Sequence, residues 1–174
     1  MPHTPEHEPA EPVVETSARF HSANPLPPDA AVAARDLLTR ALCASMDLYC
    51  SLKHAHWNTH GPAFFSLHEF FDQAASMSAS WADLLAERLG QLGFAAPGTI
   101  ADIHRCTPLS PHRAADCHDG QARASETQLS QFATLCRSIR AALTPIGDDL
   151  SVDILTQIGR EAEAALWKLE AYGR

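Results

Sequence analysis

Residues 53–72 read KHAHWNTHGPAFFSLHEFFD, and their interpretation decides the fold. Four histidines and two carboxylates flank one turn signal, Thr59-His60-Gly61-Pro62. Working upstream, Pro28 and Asp29 give a helix start. Leu38, Leu42, Ser45, Tyr49, Leu52 and His56 then recur at alternating steps of four and three, which is one helical face. Working downstream, AFFSLHEFFDQAASMSASWADLLAERLGQLG (63–93) reads as a second long helix ending near Gly93. The stretch is therefore a helical hairpin with its polar chemistry gathered at the bend.

The rest of the chain extends that pattern. Residues 94–115 carry Pro97, Gly98, Pro108 and Pro111 and form a connection long enough to hold a short helix. A third helix is expected over about 116–143, a turn at TPIGDD, and a fourth helix over about 149–172. No alternating strand pattern competes. Four long helices with a long connection between the second and third define an all-α, ferritin-like four-helix bundle over residues 29–174. Residues 1–28 hold seven of the twelve prolines together with Glu6, Glu8, Glu11 and Glu15, and are expected to form a disordered acidic tail.

Composition narrows the function. The chain has 174 residues, 45% hydrophobic and 20% charged, as in an ordinary globular domain. No apolar run is long enough for a membrane span, and no secretory or transit pattern opens the chain. The formal net charge of −8 disfavours nonspecific attraction to DNA or anionic membranes and suits cations. Five cysteines without a CxxC motif read as reduced thiols, which points to the cytoplasm. Cys106, Cys117, His104, His112 and His118 crowd the middle connection, but their spacing matches no familiar zinc site, and packing or surface roles are the preferred reading.

On the second helix, His68, Asp72, Asp83 and Glu87 fall at about 0°, 40°, 60° and 100° around the axis, so they share a face. Along the axis, His68 and Asp83 stand roughly 22 Å apart, and one metal centre with bonds near 2 Å cannot use both pairs. Two such helices placed antiparallel about a two-fold axis near Met77 and Ser78 bring His68 and Asp72 of one copy to Asp83 and Glu87 of the other. His56, at the end of the first helix, can complete the set, with Trp57 packed beside it. Imidazole and carboxylate without thiolate suit iron, manganese or zinc. The plain alternative for these five residues is a solvated polar seam or a salt-bridge network, and the shared face favours the metal.

The stretch 53–72, followed by WADLLAERLGQLG (81–93) and closed by DDLSVDILTQIGREAEAALWKLEAY (148–172), resembles the Dps family, or mini-ferritins. The likeness covers about residues 30–172. It implies a hollow homo-dodecamer with ferroxidase centres at two-fold interfaces. His56, His68 and Asp72 would come from one subunit, and Asp83 and Glu87 from its partner, around a di-iron centre. There Fe(II) would be oxidised, preferably by hydrogen peroxide, and stored as Fe(III) mineral, protecting against oxidative stress. Glu69 is the implied nucleation group, and Asp148, Asp149 and Asp153 resemble the acidic lining of iron-entry pores. Asp148 and Asp149 also suit a plain helix-capping role. DNA-binding members of the family carry basic termini. This chain has an acidic tail and ends KLEAYGR, so little or no DNA binding is expected near neutral pH. The alternatives are a nucleoid-associated DNA-binding shell with secondary metal sites, and a zinc- or manganese-binding cage without redox turnover.

Overall fold

The computed structural model describes residues 20–115, 117 and 119–173. Expectations placed on residues 1–19, and on His118, lie outside the described residues. Five helices follow in order: α1 (Pro28–Asn58), α2 (Phe64–Gln91), α3 (Ile100–Cys106), α4 (Gly120–Leu143) and α5 (Asp149–Tyr172). A single 3-10 turn, Thr144–Ile146, joins α4 to α5. No strand occurs among the described residues.

Local chemistry explains the boundaries. α1 begins with proline at its first turn, where a missing N–H costs nothing. It ends as the Thr59 N–H closes on the Ala55 carbonyl at 2.9 Å, and Gly61 at φ 94° turns the chain into α2. The seven-residue α3 is short for a free-standing helix, but Thr99 and Asp102 cap it reciprocally.

α1 packs along α2, α4 along α5, and α1 against α4, while α3 lies on the outside of α1. The core between the four long helices is aliphatic and aromatic, with Leu38, Leu48, Leu52, Phe71, Leu85, Leu129, Phe132 and Ile158 buried. Trp81 stacks on Phe132 with centroids 5.3 Å apart, and its indole N–H donates to Glu161 at 2.6 Å. Tyr49, counted from periodicity on the core face of α1, is 39% exposed, and Leu48 takes the core position instead. Among the described residues no helix is long and apolar enough to cross a membrane.

The segment 20–27, expected to belong to a loose tail, is laid along the bundle. The Phe20 N–H donates to the Gly93 carbonyl at 2.8 Å, and the Ser22 hydroxyl to the Gln91 carbonyl at 2.7 Å. Leu26 packs against the core. Gly93 is required twice over, by its φ of 87° and by the Phe20 carbonyl 3.0 Å from where a Cβ would sit. Exposed carbonyls at the end of α2 thus find partners in a segment whose composition alone suggested none.

Candidate metal centre

The hairpin between α1 and α2 brings His56 and His68 face to face. Their rings stack with centroids 3.7 Å apart and planes inclined by 22°. His56 Nδ1 lies 2.8 Å from the His68 carbonyl, and His68 Nδ1 lies 2.9 Å from the His56 carbonyl. A carbonyl oxygen only accepts, so each Nδ1 carries the proton and donates. In a neutral ring this leaves Nε2 of both residues as a lone-pair donor, the arrangement by which main-chain carbonyls orient metal-binding histidines. Phe64 stacks against His68 at 4.9 Å and closes one side of the pair.

Asp72 lies one turn beyond His68 on α2, exposed, and accepts an ion-paired hydrogen bond from Lys53 Nζ at 2.6 Å. That hydrogen bond, and then the charge of Lys53, hold the Asp72 carboxyl below the usual carboxylate range, with smaller help from His56 and His68. Lys53 is a site residue that the sequence reading passed over. Its signal was available, because it stands one turn before His56 on α1.

Asp83 and Glu87 lie far along the same exposed face, and neither forms a hydrogen bond or ion pair among the described residues. Between the two pairs the exposed residues of α2 are Gln73, which turns back to Glu69, and then Ser76, Ala79 and Ser80. The Ser76 and Ser80 hydroxyls donate back into their own helix, to the Asp72 and Ser76 carbonyls at 3.0 and 3.2 Å. The result is a narrow strip of small side chains that another helix can approach closely. Ser78, placed at the two-fold centre by axial counting, is fully buried and donates to the Ala74 carbonyl. The axial midpoint is unchanged, but Ser76, Ala79 and Ser80 present the surface. Within one chain no group of three or more His, Cys, Asp or Glu side chains is placed to hold a metal ion among the described residues.

Trp57 was expected to pack beside the site. In the single chain it is 70% exposed, with Lys53 Nζ 5.9 Å from its ring centroid. Phe65, near the start of α2, is 85% exposed. Glu69 is exposed and accepts from Gln73 at 3.1 Å.

The three aspartates at the start of α5 divide. Asp148 is 2% exposed. It pairs with buried Arg88 at 2.5 Å and caps α5 through the Ser151 N–H and hydroxyl. Its carboxylate is turned inward, so the capping side of the two expectations describes its contacts. Asp149 and Asp153 are exposed and carry their charge outward.

A long helical hairpin with a histidine pair at its bend, inside a four-helix bundle, defines a ferritin-like protein. The family model for the ferritin-like domain matches residues 35–174. The DNA protection during starvation protein of Agrobacterium fabrum is 30% identical over 154 residues, covering 86% of this chain and 93% of that relative. Among solved structures, DpsC from Streptomyces coelicolor has a TM-score of 0.85 at 22% identity, covering 94% of this chain and 96% of its own, a likeness of fold. Dps from Mycobacterium smegmatis has a TM-score of 0.81 at 28% identity, covering 89% and 87%. The chain belongs to the Dps family within the ferritin-like proteins.

Proposed function

We propose that this protein oxidises Fe(II) at centres shared between two subunits and stores the product as Fe(III) mineral inside a shell of twelve copies. The observation that carries this reading is the reciprocal pair of His56 and His68, whose carbonyl contacts leave both Nε2 atoms free to bind a cation. Asp72 supplies a carboxylate from the same chain, and Asp83 and Glu87 supply two more from a partner. Mixed imidazole and carboxylate donors suit Fe(II) as substrate. The small-residue strip of Ser76, Ala79 and Ser80 supports the close antiparallel approach of two α2 helices that this pairing needs.

Two Fe(II) ions each give up one electron, and one hydrogen peroxide accepts both, takes two protons and leaves as two waters. Pairing the electrons avoids the one-electron cleavage that releases hydroxyl radical. In this reading Asp149 and Asp153 attract Fe(II) at the entry to the shell, and Asp148 anchors them by holding α5 to Arg88. Glu69 is a nucleation group on the inner surface. Trp57 becomes a contact between subunits that limits water at the centre.

The name of the Agrobacterium relative includes DNA protection. Here residues 1–19 contain four glutamates against one arginine. Shielding by removal of iron and peroxide is therefore preferred over direct contact with phosphates. A gel shift at pH 7.5 and low salt is expected to leave DNA unretarded.

The central test is anaerobic loading with Fe(II), then peroxide, followed by absorbance and gel filtration. The expected result is fast oxidation with iron retained in a large assembly. The double variant Asp83→Ala, Glu87→Ala should assemble but lose the fast phase. Oxidation at the parent rate in that variant would refute the shared centre.

A further inference from the structure

Outside the histidine pair, the chemistry most concentrated in this chain is sulfur. Cys43 is fully buried in the middle of α1, and Cys106 closes α3, with 7% of its surface exposed. Sixty-three positions separate them, yet the packing of α3 on α1 brings the two thiols together. Cys43 Sγ also donates to the Asp102 carbonyl at 3.8 Å, one helical turn before Cys106. Arg105, next to Cys106, pairs with Asp102 at 2.6 Å. All five cysteines are free.

We infer that Cys43 and Cys106 are a peroxide-oxidisable thiol pair that closes into a disulfide pinning α3 to α1. The two sulfurs have different roles. Cys106 keeps 7% of its surface exposed against none for Cys43, so of the two it is the sulfur that a small oxidant reaches first. Burial pushes the Cys43 thiol up to about 12, so it stays protonated and out of reach. Cys106 thiolate attacks one oxygen of hydrogen peroxide, the O–O bond breaks, and hydroxide leaves, giving a sulfenic acid. Cys43 sulfur then attacks Cys106 sulfur. The S–O bond breaks, the oxygen leaves as water with the Cys43 proton, and the S–S bond forms. The two thiols lose two electrons and two hydrogens, and the peroxide becomes two waters. The remaining cysteines lack such a partner: Cys50 and Cys117 are partly or largely exposed on other surfaces, and Cys136 is buried between α4 and α5 with its thiol also pushed up to about 12.

The consequence follows from the length of α3. A seven-residue helix owes its position to its contacts rather than to its own stability. A covalent link to the centre of α1 fixes it there. The inference does not rest on iron chemistry, and the test excludes iron.

The experiment uses full-length protein carrying Cys50→Ser and Cys117→Ser, iron-free and with chelator present, treated with a small excess of hydrogen peroxide. Thiol titration in denaturant is expected to fall from three groups to one, and dithiothreitol should restore three. Peptide mapping is expected to find residues 41–53 joined to residues 106–113. Adding Cys43→Ser should leave a sulfenic acid on Cys106 that a cyclic diketone traps. Three persisting thiols, a bridge that includes Cys136, or Cys106 passing to sulfinic acid without a bridge would each overturn the inference.

Discussion

The buried pair of Arg88 and Asp148 is the point at which stability and site architecture meet. Arg88 is 3% exposed and Asp148 2% exposed. Arg88 donates to Asp148 at 2.5 Å, to the Ser151 hydroxyl at 2.9 Å and to Gln91 at 3.1 Å. Asp148 accepts from Arg88 and from the Ser151 N–H and hydroxyl. Replacing Asp148 with alanine leaves a guanidinium buried without its counter-charge and removes the cap of α5. Breaking a buried pair from one side costs about 3–5 kcal/mol. At about 2–4 °C per kcal/mol for a chain of this size, the midpoint of thermal unfolding should fall by roughly 6–20 °C. The assay is far-UV circular dichroism on heating, at fixed protomer concentration because subunit contacts also stabilise. Asp148→Asn should fall in between, since it retains an acceptor for the cap but no charge. The double variant Arg88→Met, Asp148→Leu should recover much of the loss, because no charge is then left buried. A drop under about 2 °C in Asp148→Ala, or a double variant as unstable as the two single losses added, would show that the pair does not act as argued.

Four further outcomes follow from the same geometry. Lys53→Gln frees Asp72, so its carboxyl should titrate at higher pH by NMR, and zinc, as a redox-silent probe, should bind several-fold more tightly. In the parent the Lys53–Asp72 contact should persist above the ordinary carboxylate range and be lost only as pH falls through the lowered Asp72 pKa, because the folded state holds that proton less tightly than the unfolded chain. Ala79→Arg places a long cation on the small-residue strip, and gel filtration is expected to show smaller species while circular dichroism retains the helical signal. Gly93→Ala meets both a positive φ and the Phe20 carbonyl, so it should cost about 1 kcal/mol or more and speed proteolysis near residues 20–27.

Much of the fold was legible because helical periodicity and turn chemistry are local. The four long helices, the stop at residues 59–62 and the short helix between Pro97 and Pro108 all follow from spacing, glycine and proline. The pairing of His56 with His68 was also legible, since a hairpin must bring the end of one helix to the start of the next. What escaped were contacts between side chains remote in sequence or on unexpected faces. Composition marked residues 20–27 as tail, yet unpaired carbonyls at the end of α2 hold them. Asp148 read equally well as pore or cap until the burial of Arg88 was known. Trp57 read as a residue packed beside the metal site, yet in a single chain it faces water.

The sequence by itself determined the four-helix architecture and the family, and it named candidate metal ligands, because these depend on repeats of three or four residues and on donor chemistry. Only the tertiary structure decided the tautomer of the two histidines, the inward turn of Asp148, the grip of Lys53 on Asp72 and the meeting of Cys43 with Cys106. Each depends on where separate helices place their side chains in space, which packing against a shared core fixes and no local periodicity encodes.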